Sequence, residues 1–498
     1  MNLMMLLEMA ASGFGDRPAL TNGSEVLTYS ELFGAAGAAA SEITASESEY
    51  MAVLDVNSLA VPIGLFASAW AGVPFAPLNY RLTGSELDAL VARVSPAYLV
   101  AEEEAAARLS PRSDTTVVER TDFVERARAG DTAETSWSLD PEEVAILLFT
   151  SGTTGAPKAA LLRHKHLVSY ILSSVEFGSA AEDDAALVSV PPYHVAGAAS
   201  IASSVYAGRR IVQLENFSAE AWIELARSER ITNAMVVPTM LVRIIDALES
   251  AGDIQLPHLR AVSYGGSKMP LAVIEKAMEL LPGTDFTNAY GLTETSSTIT
   301  ILTPDDHRAA AESDDPEVRQ RLASLGTPLP SVELEIRDEA GKALGPGERG
   351  EIYVRGEQIA GEYLDQGSKL DAGGWFPTRD GGWLDSAGYL FLDGRIDDII
   401  VRGGENISPG EIEDVILEHD AVTDCAVVGV PDQQWGESPA AVIVTREGRS
   451  VSEEEIQRWV TDRLRSSRSP SRIEFRDELP YSETGKLLRR TVRADLQE

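Results

Sequence analysis

Cysteine is almost absent: Cys425 is the only one among 498 residues. A single thiol excludes an intrachain disulfide framework and leaves thiol catalysis one candidate, which lies in the apolar run AVTDCAVVGV and reads as core. Positive charge is scarce as well, with 42 Lys and Arg against 78 Asp and Glu, a formal net charge of −36. Such a chain repels polyanions on average, so neither nucleic acid nor an anionic membrane surface is expected as its main partner. An anionic small ligand would need a locally positive pocket. No apolar run reaches the roughly 18 uninterrupted residues of a membrane span, so no integral membrane segment is expected. The opening MNLMMLLEMAA has no basic region and contains Glu8, which predicts a short amphipathic helix rather than a secretory signal. These absences together predict a cytoplasmic protein.

What is present is a chain too long for one hydrophobic core, at about 150 residues per domain. In the first two-thirds, short apolar runs such as MAVLDV and TNAMVVP alternate with helical stretches such as AEAWIELARSE. That rhythm predicts βαβ units and an α/β body of largely parallel sheets covered by helices. From about residue 330, VELEIRD, GEIYVRG and GYLFLDGR predict a small antiparallel β unit. After Arg395 the pattern changes again. The strand DDIIVRGG, the helix SPGEIEDVILEH opened by Ser408 and Pro409, two further strands and the helix EEEIQRWVTDRLR predict a small mobile α+β lid. The expected division is 1–396 for the N-terminal body and 397–498 for the lid. The charged segment at 305–324 reads as a surface helix and loop. His164 and His166, in RHKH, offer no third metal ligand and are expected on a solvated surface.

The strongest local signal is VAILLFTSGTTGAPK, an apolar strand running into Thr150, Ser151, Gly152, Thr153, Thr154, Gly155, Ala156, Pro157 and Lys158. Glycines free the backbone, hydroxyls donate hydrogen bonds and a lysine adds charge, so the loop is suited to wrapping phosphate oxygens. It is not a Walker loop: only two residues separate Gly152 from Gly155, and Pro157 precedes Lys158.

This stretch resembles the signature loop of the adenylate-forming enzymes, which include acyl- and aryl-CoA synthetases, peptide-synthetase adenylation domains and luciferases. Further motifs of that superfamily follow in order over nearly the whole chain, most similar to bacterial fatty-acyl or aryl-CoA ligases. In NAYGLTET the resemblance implies that Tyr290 stacks on adenine, Asn288 bonds its amino group, Thr293 meets the α-phosphate and Glu294 holds Mg²⁺. SYGGSKMP supplies Gly265 and Gly266, where a flat group approaches the backbone. In WFPTRDGGW, Asp380 and the later Arg395 are implied ribose or phosphate contacts, and Arg379 stands where the pattern usually has glycine. Asp397 is the implied hinge. Gly403 and Gly404 are the implied lining of a channel for the coenzyme A thiol. Lys486, in SETGKLLRR, is the implied catalytic ammonium beside the substrate carboxylate and α-phosphate.

His194, in VPPYHVAGAAS, matches a position beside the acyl carboxylate. Ala196, Ser200, Val237, Thr239, Tyr264 and Gly265 are the expected acyl-pocket residues, and segment 191–206 has no Asp or Glu to pair with an α-ammonium, which disfavours amino acids. The expected activity is formation of an acyl-AMP from ATP and a carboxylic acid, with release of pyrophosphate, then transfer to coenzyme A. Fatty, cyclic and aryl acids stay open. The alternatives are transfer to a carrier-protein thiol, an amine or nitrite as acceptor on an aryl acid, and a catalytically dead nucleotide or acyl sensor. Oligomeric state is open, with a homodimer among the options.

Overall fold

The computed structural model describes residues 1–498 apart from 133–135, 151–156, 253, 447, 482–486 and 498. The chain divides into two units, one of Met1–Glu333 with Arg355–Phe376 and the other of Leu334–Val354 with Pro377–Glu498.

The first unit is α/β, as the alternation of apolar runs and helices predicts. A nine-stranded sheet has six adjacent parallel strands, ordered Asp285–Leu292, Ala261–Gly265, Asn233–Val236, Ala185–Val188, Arg210–Gln213 and Pro18–Asn22. Ser297–Leu302 and Glu25–Thr28 flank these on either side as antiparallel strands. An eight-stranded sheet is built around parallel strands at Val144–Thr150, Phe75–Pro77, Tyr50–Leu54, Ala97–Ala101 and Thr115–Glu119. Its Val144–Thr150 strand turns back antiparallel into Lys158–Arg163.

Helix character follows from local chemistry. Ala60–Ala71 is apolar on all sides and all but its last residue are buried, as a helix without a polar face must be. The helix Tyr29–Ala45 starts with a capping box in which Thr28 and Glu31 satisfy each other's backbone amides. Met4–Phe14 is helical and buries Met4, Leu6, Leu7 and Ala10, as its pattern predicts. Beneath the helices covering the nine-stranded sheet lies fully buried Trp222; truncating such a residue to alanine costs about 3–5 kcal/mol.

His164 and His166 correct the surface expectation. Both are buried, and each Nδ1 accepts a backbone N–H at 3.2 Å, from Leu3 and from Arg163. Their sequence neighbours are polar, but the helix they open faces inward, and the ring nitrogens serve to satisfy amides. Desolvation pushes both pKa values down to about 4.

The second unit holds a four-stranded sheet ordered Glu333–Arg337, Gly350–Arg355, Phe376–Leu384 and Leu390–Arg395. A five-stranded sheet follows, in which Val422–Asp432 and Gly436–Thr445 form a long antiparallel pair and Arg472–Arg476 joins in parallel. Helices Pro409–Leu417 and Glu453–Thr461 cover this sheet over a core that includes Ile412, Ile443, Ile456 and Cys425. The expected 396/397 boundary falls within the 3-10 turn Ile396–Asp398 of this unit. No helix among the described residues is long and apolar enough to cross a membrane.

Candidate active site

The sheet order of the first unit gathers one group of the expected residues along one edge. Strands ending at Val188, Val236, Gly265 and Leu292 are parallel neighbours, with Met235 opposite Val188, Val236 opposite Tyr264 and Gly265 opposite Ala289. Their carboxyl ends therefore deliver His194, then Val237 and Thr239, then Gly265 and Gly266, then Asn288 to Glu294, side by side. In open parallel sheets this edge is where ligands bind. At Gly265 a Cβ would lie 2.1 Å from the Ala289 carbonyl oxygen, so the strands reach this spacing only without a side chain.

Asn288 is buried, and its Nδ2 donates to the Ser324 carbonyl at 3.0 Å. With the amide hydrogens turned to Ser324, Oδ1 is oriented as an acceptor, the role an exocyclic amino group needs. Tyr290 is buried at a strand bulge between Tyr290 and Gly291. Thr293 and Glu294 lie in the 3-10 turn Thr293–Thr295. The turn is fixed from inside, since the Oγ1 of buried Thr295 accepts the Leu292 N–H at 2.9 Å. Buried Gln358 donates to the carbonyls of Thr295 and Thr298 at 3.2 and 2.7 Å.

Glu294 is gripped by one short segment. Its carbonyl accepts the N–H groups of Ala360 and Gly361 at 2.9 and 3.0 Å, and its carboxylate accepts the Tyr363 hydroxyl at 2.5 Å. Lys158 Nζ lies 5.6 Å from the Tyr363 ring centroid, and Lys158 pairs with Thr150 across the hairpin. The structure thus brings Thr150, Lys158 and Glu294 into one neighbourhood through Tyr363. Ser151, Gly152, Thr153 and Thr154 lie outside the described residues. Tyr363 and Gln358 were missed in the sequence, where no spacing signal connects them to a turn more than 60 residues upstream.

His194 caps the helix Val195–Ala207, its Nδ1 accepting the Ala196 N–H at 3.2 Å. A backbone amide can only donate, so the ring proton resides on Nε2. Desolvation lowers the pKa to about 4, and the imidazole is neutral at pH 7. Ala196 and Val237 are buried, and Ser200 and Thr239 are partly exposed. Tyr264 is fully buried and its hydroxyl meets His307 Nε2 at 2.8 Å, while His307 Nδ1 bonds the Thr303 carbonyl at 2.8 Å.

In the second unit, Asp380 and Arg395 face each other across antiparallel strands and form an ion pair at 3.0 Å, with Asp380 buried. Arg379 has φ +62, a conformation glycine adopts freely, and so fits the backbone of the usual Thr-Gly-Asp pattern. Its guanidinium donates to Asp397 at 2.6 Å, and its amide donates to Glu351 at 3.1 Å. Burial raises the Glu351 pKa. Gly403 and Gly404 have φ +59 and +84 in the turn between strands Ile400–Arg402 and Glu405–Ile407. Lys486 lies outside the described residues; on either side of it, Tyr481 and Leu487 form an antiparallel bridge.

Residues 7–364 match the family described as AMP-binding enzyme, and residues 411–486 match the AMP-binding enzyme C-terminal domain. A feruloyl-CoA synthase of Amycolatopsis sp is 30% identical over 95% of both chains. A fatty acid–[acyl-carrier-protein] ligase of Streptomyces coeruleorubidus is 31% identical over 86% of this chain and 83% of its own. Among solved structures, the o-succinylbenzoate CoA synthetase of Bacillus subtilis with its acyl-adenylate intermediate superposes with a TM-score of 0.83 at 28% identity, covering 99% of this chain and 98% of that one.

Proposed function

The chain belongs to the family of AMP-binding enzymes and is an acid-thiol ligase using ATP, Mg²⁺ and coenzyme A, and on that premise we propose how its residues divide the work on an apolar or aryl acid. The observation that carries the reading is the shared strand edge, where Gly265, Gly266, Asn288, Tyr290, Thr293 and Glu294 follow one another. A flat base fits between the glycines and the Tyr290 ring, and Asn288 Oδ1 accepts from its amino group.

In the first half-reaction a carboxylate oxygen bonds to the α-phosphorus of ATP as the bond to pyrophosphate breaks. Thr293, the 150–158 loop and Lys486 meet the charge that develops on phosphate oxygens. The His194 Nε2–H, on a neutral ring, orients the acid without pairing with it. Asp380 accepts from the ribose hydroxyls, and Arg395 fixes Asp380. In the second half-reaction the thiol sulfur bonds to the acyl carbon and AMP leaves, with Gly403 and Gly404 beside the thiol. A pivot at Asp397 exchanges Lys486 for the glycines between the two steps.

The donor set suits Mg²⁺. Among the described residues no group of three or more His, Cys, Asp or Glu is placed to hold a metal, and Glu294 offers a carboxylate with one oxygen already bonded to Tyr363. One carboxylate plus nucleotide phosphates and water is the usual company of Mg²⁺. When bound, the ion neutralises phosphate charge.

The feruloyl- and o-succinylbenzoate-acting relatives favour an aryl acid, and the absence of a carboxylate in 191–206 agrees with it. The carrier-protein ligase relative supports a second acceptor. The test is AMP release over a panel of aryl, cyclic and fatty acids, with coenzyme A or with a holo-carrier protein. AMP release with an aryl acid and free coenzyme A is the expected result, abolished by Lys486→Ala in a folded protein. Turnover with holo-carrier alone would replace this reading by the second.

A further inference from the structure

We infer that Tyr363 is a positioning residue that aims the Glu294 carboxylate, so that one oxygen is held by protein and the other is presented to the cation that arrives with ATP. The inference rests on the reading of Glu294 as the Mg²⁺ residue. The segment Ala360–Tyr363 holds Glu294 at two points: the Ala360 and Gly361 amides bond its carbonyl, and the Tyr363 hydroxyl bonds Oε1 at 2.5 Å. With main chain and side chain both fixed from one short piece of backbone, the carboxylate is confined in position and rotation.

That piece is itself anchored. Tyr363 pairs with Ala160 of the strand Lys158–Arg163, and the Leu364 N–H donates to the Ala159 carbonyl at 2.9 Å. Arg163 on the same strand grips Glu362 with two parallel bonds, Nε to Oε2 at 2.9 Å and Nη2 to Oε1 at 2.8 Å, the fork geometry that fixes a carboxylate most firmly. The Tyr363 ring is buried. A phenol is a neutral donor, so the bond places no opposing charge beside the Glu294 carboxylate, as a lysine in the same place would. Mg²⁺ demands near-octahedral ligands at short distance and tolerates misplacement poorly, so a carboxylate fixed in rotation binds it better than one that turns freely. Lys158 Nζ lies over the face of the same ring, 5.6 Å from its centroid, and a phenylalanine ring keeps that face. Removing the hydroxyl alone therefore leaves that contact and the packing in place.

Tyr363→Phe makes that removal. The readout is the Mg²⁺ concentration giving half-maximal thermal stabilisation of the full chain in the presence of an α,β-methylene ATP analogue, set beside stabilisation by AMP without metal. Tyr363→Phe is expected to raise the Mg²⁺ requirement about tenfold, the scale of losing a group that orients a metal ligand, and to leave the AMP response unchanged. Glu294→Gln is expected to raise it at least as much, and the double variant no further than Glu294→Gln alone. A wild-type Mg²⁺ requirement in Tyr363→Phe, with Glu294→Gln shifted, would show that Tyr363 only packs and would overturn the inference while sparing the role of Glu294. No shift in Glu294→Gln would remove that role, and the inference with it. Equal loss of the AMP response in Tyr363→Phe would mark a general structural effect and would also overturn it.

Discussion

Arg379 is where two small effects of opposite sign meet. Its φ of +62 strains any residue with a Cβ, at a cost of about 1 kcal/mol, and glycine would relieve it. Against this, the guanidinium holds Asp397 at 2.6 Å, but both side chains are about half exposed, and ion pairs of that kind are worth about 0.2–1 kcal/mol. Arg379→Gly is thus expected to change stability by less than about 1 kcal/mol in either direction, measured by denaturant unfolding. The same variant should weaken the dependence of acyl transfer on salt if Asp397 is the pivot, because the pair it removes is one that salt screens. A loss of several kcal/mol would show instead that the backbone amide bond to Glu351 depends on the side chain. The sequence made Arg379 visible as a departure from a pattern. It could not show the partner, because Asp397 is 18 residues away and the two meet only across paired strands.

Among the elements, periodicity made most of the body legible. Alternating apolar runs and helices predict a parallel sheet, and its carboxyl edge collects His194, Val237, Thr239, Gly265, Gly266 and Asn288 to Glu294 because they lie in or just after the ends of its strands. What periodicity hides is lateral contact. Nothing in the segment at 360–363 marks it as the clamp on Glu294, and His164 and His166 look solvated until the helix they open is seen to face inward. The edge itself depends on strand spacing. At Gly265 a Cβ would lie 2.1 Å from the Ala289 carbonyl oxygen and 3.1 Å from its carbon, both backbone atoms that cannot move alone. Gly265→Ala must therefore shift the strand that carries Asn288 and Tyr290. Overpacking of this kind costs about 1–3 kcal/mol. The expected outcome is a thermal midpoint lower by several degrees and AMP affinity reduced about tenfold or more, read by calorimetric titration. Unchanged AMP affinity with lowered stability would separate the glycine from the nucleotide.

Over the whole molecule, acid should act through buried histidines as well as through net charge. His164 and His166 are buried neutral, with pKa values near 4 against an ordinary value of 6.5, so the unfolded chain binds more protons than the folded one between those limits. The stability they contribute is complete above pH 6.5. It falls by up to about 1.4 kcal/mol per pH unit for each group as pH drops towards 4, and falls no further below that. Asp55 works the other way. It is buried beside Arg120, desolvation raises its pKa to about 6, and the folded chain therefore takes up a proton first, gaining stability between pH 6 and its ordinary value of 3.8. Relief of self-repulsion, as a chain of net charge −36 loses negative charge, also favours the folded state in mild acid. Salt separates the contributions, since it screens surface repulsion but barely touches buried groups. In high salt, the midpoint of thermal unfolding is expected to fall from pH 6.5 to 4.5, and His166→Gln is expected to flatten that slope even if it lowers stability at pH 7. A midpoint that rises through the same window in high salt, or a slope that His166→Gln leaves untouched, would mean that the buried rings do not govern the acid limb.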